Sequence, residues 1–260
     1  MSPSFFQSQD NTRIQRIWML AKFDFKKRYH KNKLGLLWAL INPLFRISVY
    51  YFVFTQVFQI KEERFALILF SGIIIWMIFS ESTNRGVKIL LSKSYLIENI
   101  QFNKIDLFFS HMISVFLGFA FNLSAYLITA VLLGVTFSSS LLFFPLVLIG
   151  VFLISLGVTL MLSVAHIYFK DIEHFWTLFL VFGFWTSGVF QRGEVFINAF
   201  PPLKYLHPFL GIIINARNAL VFSNPMDWPM MGYGLLYSLA ILLLGYWVFE
   251  NYSDKAMEKI

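Results

Sequence analysis

The chain has 260 residues, of which 58% are hydrophobic and only 13% charged, and it carries a net charge of +7. A soluble domain has about 25% charged residues, so the composition excludes an ordinary water-soluble protein and describes an integral membrane chain. With no cysteine, disulfides, thiolate nucleophiles and Cys-ligated metals are excluded. The basic residues sit beside apolar segments, which suits an anionic leaflet or a partner at the membrane face rather than nucleic acid.

The first eleven residues are polar and lack a short apolar core, so no cleaved signal peptide is expected. A basic amphipathic helix is predicted over 12–33. Ile14, Ile17, Trp18, Ala21, Phe25 and Tyr29 recur on one face, and Arg13, Arg16, Lys26, Lys27 and Arg28 cover much of the rest. Such a helix lies along a membrane surface with its apolar face at the headgroup boundary. A transmembrane helix needs about 20 mostly apolar residues. Six spans are expected on that basis, at 36–58, 65–84, 107–135, 141–166, 175–190 and 229–249. Between the last two, 195–203 and 205–214 are apolar but too short to span, and Pro201, Pro202 and Pro208 interrupt them. They read as two short re-entrant helices or as an external loop with apolar contacts.

Lys and Arg in short loops set the orientation. With the N-terminus inside, the inner side receives Arg13 through Lys33, Arg85, Lys88, Lys93, Lys104, Lys170, Lys255 and Lys259. The outer side receives only Lys61, Arg64, Arg192, Lys204 and Arg217. Both termini are then cytoplasmic. The expected fold is one all-α membrane domain over 1–260: an interfacial helix at 12–33, a six-span bundle at 36–249 and a cytoplasmic tail at 250–260.

No Gly-x-x-x-x-Gly-Lys-Ser/Thr phosphate loop, His-Glu-x-x-His, Gly-x-Ser-x-Gly or Ser-x-x-Lys pattern is present. His166, Lys170, Asp171, Glu173 and His174 cluster at a turn where polar residues are expected anyway. Arg46 falls inside the first span, where a charge costs at least about 2.5 kcal/mol at a helix centre. It either faces water, a partner or the bundle interior, or snorkels past a kink at Pro43. Glu81 and Arg85 are spaced for a local i,i+4 ion pair. Residues 88–100, with Tyr95 and Glu98, form a short amphipathic helix that either docks into another protein or rests on the bilayer. Tyr50, Tyr51, Trp76 and Tyr126 sit near mid-span, where they either stack on sugar faces or pack helices.

Asp24-Phe25-Lys26-Lys27-Arg28-Tyr29 followed by Leu34-Gly35-Leu36-Leu37-Trp38-Ala39-Leu40-Ile41-Asn42-Pro43-Leu44 fits an Asp, an Arg-Tyr pair and Leu-Gly-x-x-Trp-x-x-x-x-Pro-Leu. Phe169-Lys170-Asp171-Ile172 fits an aromatic-Arg-Asp turn, and His207-Pro208 with Ile214 and Arg217 fits an Asn-Pro…Arg region. In these residues, and over essentially its whole length, the chain resembles the permease subunits of ABC exporters for O-antigen, capsular polysaccharide and teichoic acid. It departs at Phe102-Asn103-Lys104, where the family has Phe-Pro-Arg, at Lys170 for Arg, at His207 for Asn and at Gly188 for Pro.

The resemblance implies a homodimer of six-span permeases in the bacterial cytoplasmic membrane, served by two copies of a separate ABC ATPase subunit that binds ATP and Mg. This chain would hold no cofactor or metal and do no covalent chemistry. The implied cargo is a polysaccharide on a polyprenyl diphosphate, moved outward through a dimer-interface channel. The interfacial helix would form part of a cytoplasmic gate and the re-entrant helices would lie outside. Arg28, Lys31, Lys33 and Arg46 are the candidates for the lipid diphosphate, with positive-inside anchoring as the alternative for the first three. Tyr50, Tyr51, Trp76 and Tyr126 are candidate channel aromatics. Tyr95, Glu98, Lys170 and Asp171 are candidate ATPase-coupling residues. Two other functions compete: a related permease for drugs or small lipids, and a membrane-embedded lipid or sugar transferase drawing on the His166–His174 turn.

Overall fold

The computed structural model describes residues 3–30, 35–100, 103–190, 197–198, 200–202, 205 and 207–259. In chain order its helices are α1 (Pro3–His30), α2 (Trp38–Phe52, extended by a π turn at Val53–Val57), α3 (Phe65–Gly86), α4 (Ile89–Ser92), α5 (Ser94–Ile100), α6 (Lys104–Leu132), α7 (Phe144–Tyr168), α8 (Ile172–Thr186), α9 (Pro208–Arg217, extended by a π turn at Asn218–Phe222) and α10 (Trp228–Met257). Every regular element among the described residues is helical. Among the described residues, four helices are long and apolar enough to cross a membrane: α3, α6, α7 with the 3-10 turn before it, and α10. They fall on the second, third, fourth and sixth expected spans.

The first and fifth expected spans fold as α2 and α8, each of 15 residues. Both end at backbone that L-residues seldom adopt: Gln59 beyond the π turn and Gly188 after α8 have φ of 55° and 81°. Proline's ring fixes φ near −65°, so the glycine at 188 answers a left-handed turn that the family's proline could not make. Of the two apolar segments between the fifth and sixth spans, 195–203 lies partly outside the described residues, at 195–196, 199 and 203. The second begins three residues late, as α9. The departures around 103 also have local reasons. Asn103 caps α6 by accepting a hydrogen bond from the Ile105 amide, and Lys104 pairs with Asp254 of α10. That pairing lies beyond residue 249, where α10 continues as a helix rather than as a tail.

Buried α3 is the centre of the bundle and packs on α2, α6, α7, α8 and α9. Helices α7 and α10 make the most extensive pairing. Their line of approach runs through Gly157 and Gly245, where small residues let two backbones touch. The buried hydroxyls Ser71, Thr83, Ser110 and Ser163 bond back to carbonyls of their own helices, so they are satisfied without water.

Helix α1 starts at Pro3 rather than residue 12 and lies along α6 in the same direction. Arg13 meets Asp106 near the start of α6, and Phe25 stacks on Phe121 further along it at 5.9 Å. The packed side carries Ala21, Asp24, Phe25 and Arg28, while Ile14, Trp18, Met19 and Phe23 remain exposed. A single apolar face turned to lipid is therefore replaced by two: one on the bundle and one free for the headgroup boundary.

Candidate functional site

Three helices each lend one face to a cleft of about 660 Å³. From α2 come Asn42, Arg46 and Tyr50, four residues apart and so on one stripe. From α3 come Trp76, Met77, Ser80, Glu81, Asn84 and Arg85, and from α8 Thr177, Leu180, Val181, Phe184 and Trp185. A recess of about 350 Å³ opens beside it, lined by Arg28 at the end of α1 together with Trp38, Ala39 and Asn122. The two share Asn42, Met77, Glu81 and Arg85 and form one groove.

The groove is polar at one end and aromatic at the other. At the polar end Glu81 accepts from Arg28 Nη1 at 3.1 Å and Arg85 Nη2 at 3.4 Å. Arg85 was expected there from its i,i+4 spacing, but nothing local in the sequence joins Arg28 to Glu81 across 53 residues. At the other end Tyr50 meets Phe190 edge-on at 5.0 Å and Phe184 at 5.8 Å, and Trp185 stacks on Phe190 at 4.5 Å. Phe184 and Phe190 were missed because a Phe-rich chain gives no reason to single them out.

The structure brings together Arg28, Arg46, Tyr50 and Trp76 and separates the other two aromatics from them. Trp76 is 6% exposed, with its ring packed close to Gly183, so it is the floor of the groove rather than an open stacking face. Tyr51 turns outward toward Phe65. Tyr126 is fully buried, and its hydroxyl donates to the Leu220 carbonyl at 2.8 Å. That carbonyl belongs to the π turn after α9, which explains why a tyrosine is needed in the core. Lys31 and Lys33 lie outside the described residues. Arg217, counted above among outer loop cations, is 2% exposed and donates to the carbonyls of Gly188, Val189 and Ile68. It pins α9 to the end of α8 and to α3.

At the α5 end, the expected single helix over 88–100 is two helices that break at Lys93. Tyr95 and Glu98 on α5 are exposed, as are Lys170 and Asp171 before α8. Lys93 pairs with Asp24 of α1 at 2.5 Å, and Lys88 pairs with Glu173 of α8 at 2.6 Å. The α4–α5 segment is thus tied both to α1 and to the start of α8. The hydrogen bond from Lys88 holds the Glu173 carboxyl below its ordinary value of 4.5. A depressed carboxylate contributes its stability in full above that value and loses it as pH falls through the folded one. Amide protection at these segments, corrected for the intrinsic pH dependence of exchange, should be constant from neutrality to about pH 4.5 and fall only below it.

The family model described as ABC-2 type transporter matches residues 15–221, which take in α2 through α9 and so the whole groove. The chain belongs to that family. Membership implies an ABC ATPase partner and makes this ABC-2 chain a multi-pass membrane transport subunit. Among its relatives, the O-antigen export system permease protein RfbA of Klebsiella pneumoniae is 24% identical over 226 residues, covering 86% of both chains. A second Klebsiella pneumoniae protein of that name is 21% identical over 236 residues, covering 90% of both. The Myxococcus xanthus RfbA is 25% identical over 218 residues, covering 84% of this chain and 78% of its own.

Proposed function

We propose that this chain is the permease subunit of an ABC exporter that carries a polyprenyl-diphosphate-linked polysaccharide out across the bacterial cytoplasmic membrane. The observation that carries the reading is the groove, with arginines at one end and aromatic rings at the other. Arg forks pair bidentately with phosphate oxygens, and aromatic faces and edges suit sugars. A lipid diphosphate followed by its glycan presents the same two chemistries in the same order. The matched relatives are named as O-antigen export permeases, which supports the same cargo class.

The groove is open along α2 and α8, whose outer faces carry exposed Phe45, Val49, Phe52, Leu178 and Phe182. In this reading two copies meet there and close two grooves into one conduit, with α2 and α8 completing a six-span count per copy. The α5 end and both termini face the cytoplasm, where Tyr95, Glu98, Lys170 and Asp171 contact one ATPase subunit per permease. Helix α9 lies toward the outside as a re-entrant helix.

The test is Arg46→Ala and Arg85→Ala in the producing cell, with the permease level measured alongside. Surface polysaccharide should fall at least about tenfold while lipid-linked glycan accumulates, the scale of losing one charged hydrogen-bonded contact. Normal export from both variants would contradict the groove as the path. Coupling has a separate test in the Asp24–Lys93 link. Asp24→Lys or Lys93→Asp alone should uncouple ATP hydrolysis from export, and the double exchange should restore it. A double variant as poor as the singles would remove that link from the coupling route.

A further inference from the structure

Resting on the diphosphate reading above, we infer that Glu81 is a resident counter-anion that holds the arginines of the groove until a diphosphate displaces it. The side chain of Arg28 is 5% exposed. A guanidinium so placed needs a nearby negative charge, because an unpaired buried ion costs several kcal/mol by the general desolvation rule. Glu81 supplies that charge and also reaches Arg85. It lies where the recess and the cleft meet and lines both, and its own side chain is 31% exposed. An incoming anion can therefore reach the carboxylate that it would replace.

The bonding supports exchange. Arg13 and Asp106 form a fixed pair, with Nε 3.0 Å from each carboxylate oxygen and Nη2 at 2.6 Å from one. Glu81 instead makes one contact to each arginine, at 3.1 and 3.4 Å. Single long contacts to two different partners are weaker than one bidentate clamp. A diphosphate offers more oxygens and more charge than a carboxylate, so it can take both arginines at once and release Glu81 toward the open cleft. The exchange keeps Arg28 neutralised both before and after cargo enters. It also sets a threshold against singly charged anions, which gain too little to displace a carboxylate already in place.

The experiment uses the permease with its ATPase in nanodiscs without nucleotide, titrated with farnesyl diphosphate, with farnesol as the control for lipid partition. Thermal shift and direct binding are read for the wild type and for Glu81→Gln, Glu81→Asp and Arg85→Gln. Arg85→Gln should weaken diphosphate binding, and Glu81→Gln should tighten it roughly tenfold, the scale set by removal of one competing close charge. Glu81→Asp, too short to reach both arginines, should fall between wild type and Glu81→Gln, and it carries the test if the glutamine variant does not assemble. Weaker or unchanged binding in the Glu81 variants, with Arg85→Gln still weakened, overturns the proposal and leaves the diphosphate reading standing. Binding no better than farnesol in every form, or left unweakened by Arg85→Gln, overturns the reading and the proposal with it.

Discussion

Arg217→Ala should leave too little assembled permease to purify as a single species, and Arg217→Lys should recover little of it. The Arg217 guanidinium donates to Gly188 O at 2.8 Å, to Ile68 O at 3.3 Å and to Val189 O, so one side chain satisfies carbonyls on two other elements. Each buried acceptor left unmade costs about 1–3 kcal/mol, so losing all three costs at least about 3 kcal/mol. Lysine offers a point charge rather than a fork and cannot reach the two elements in the same geometry. The site is closed to larger neighbours as well: a Cβ on Gly72 would lie 3.0 Å from an Arg217 nitrogen and 3.1 Å from the Val189 carbonyl. Thermal unfolding in detergent and size-exclusion profiles check this. A monodisperse Arg217→Ala protein within a few degrees of wild type would show that α9 is held by its apolar contacts instead.

Gly245→Val should separate α7 from α10 with a comparable effect. A Cβ at Gly245 would run into the Gly157 carbonyl, and one at Gly157 would lie 2.5 Å from Ile241 O and 2.6 Å from Leu242 Cα. These obstacles are backbone, so no rotamer relieves them and the helices must move apart along their whole contact. Overpacking costs typically about 1–3 kcal/mol, and contact with backbone places this case at or above the upper end. Gly232 on the same helix has no atom within reach of a Cβ. Gly232→Ala should therefore be neutral or stabilise by up to about 1 kcal/mol through helix propensity. Equal melting temperatures for Gly232→Ala and Gly245→Val would refute the close approach.

The membrane spans were legible in the sequence, whereas the Arg217 and Gly245 contacts were not. Long apolar runs announced α3, α6, α7 and α10, because crossing hydrocarbon demands length and composition that a single chain displays openly. The exposed segments with Tyr95, Glu98, Lys170 and Asp171 were legible for the same reason: their polar residues interrupt those runs. Arg46 and Tyr50 were found because a charge and a hydroxyl are conspicuous inside an apolar span. Arg217 was read only as an outer-side cation, and its burial was not seen, because its partners are carbonyls, which every residue has and no pattern reveals. Tyr126 was grouped with channel aromatics because the carbonyl that its hydroxyl serves lies 94 residues away. The close approach of Gly157 and Gly245 was invisible for a related reason. A glycine in an apolar helix reads the same whether it meets lipid or another backbone. Helix α1 shows the same limit at larger scale. Its periodicity marked one apolar face but could not assign Asp24 to Lys93 or Arg28 to Glu81.

The proposed activity of the permease is outward movement of a diphosphate-linked glycan. The most direct measurement deletes the gene and quantifies polyprenyl-diphosphate-linked glycan inside the cell alongside polysaccharide at the surface. Internal accumulation together with surface loss, both reversed by the wild-type gene, is the expected result. Unchanged amounts in both places would contradict it and assign the groove to a different cargo.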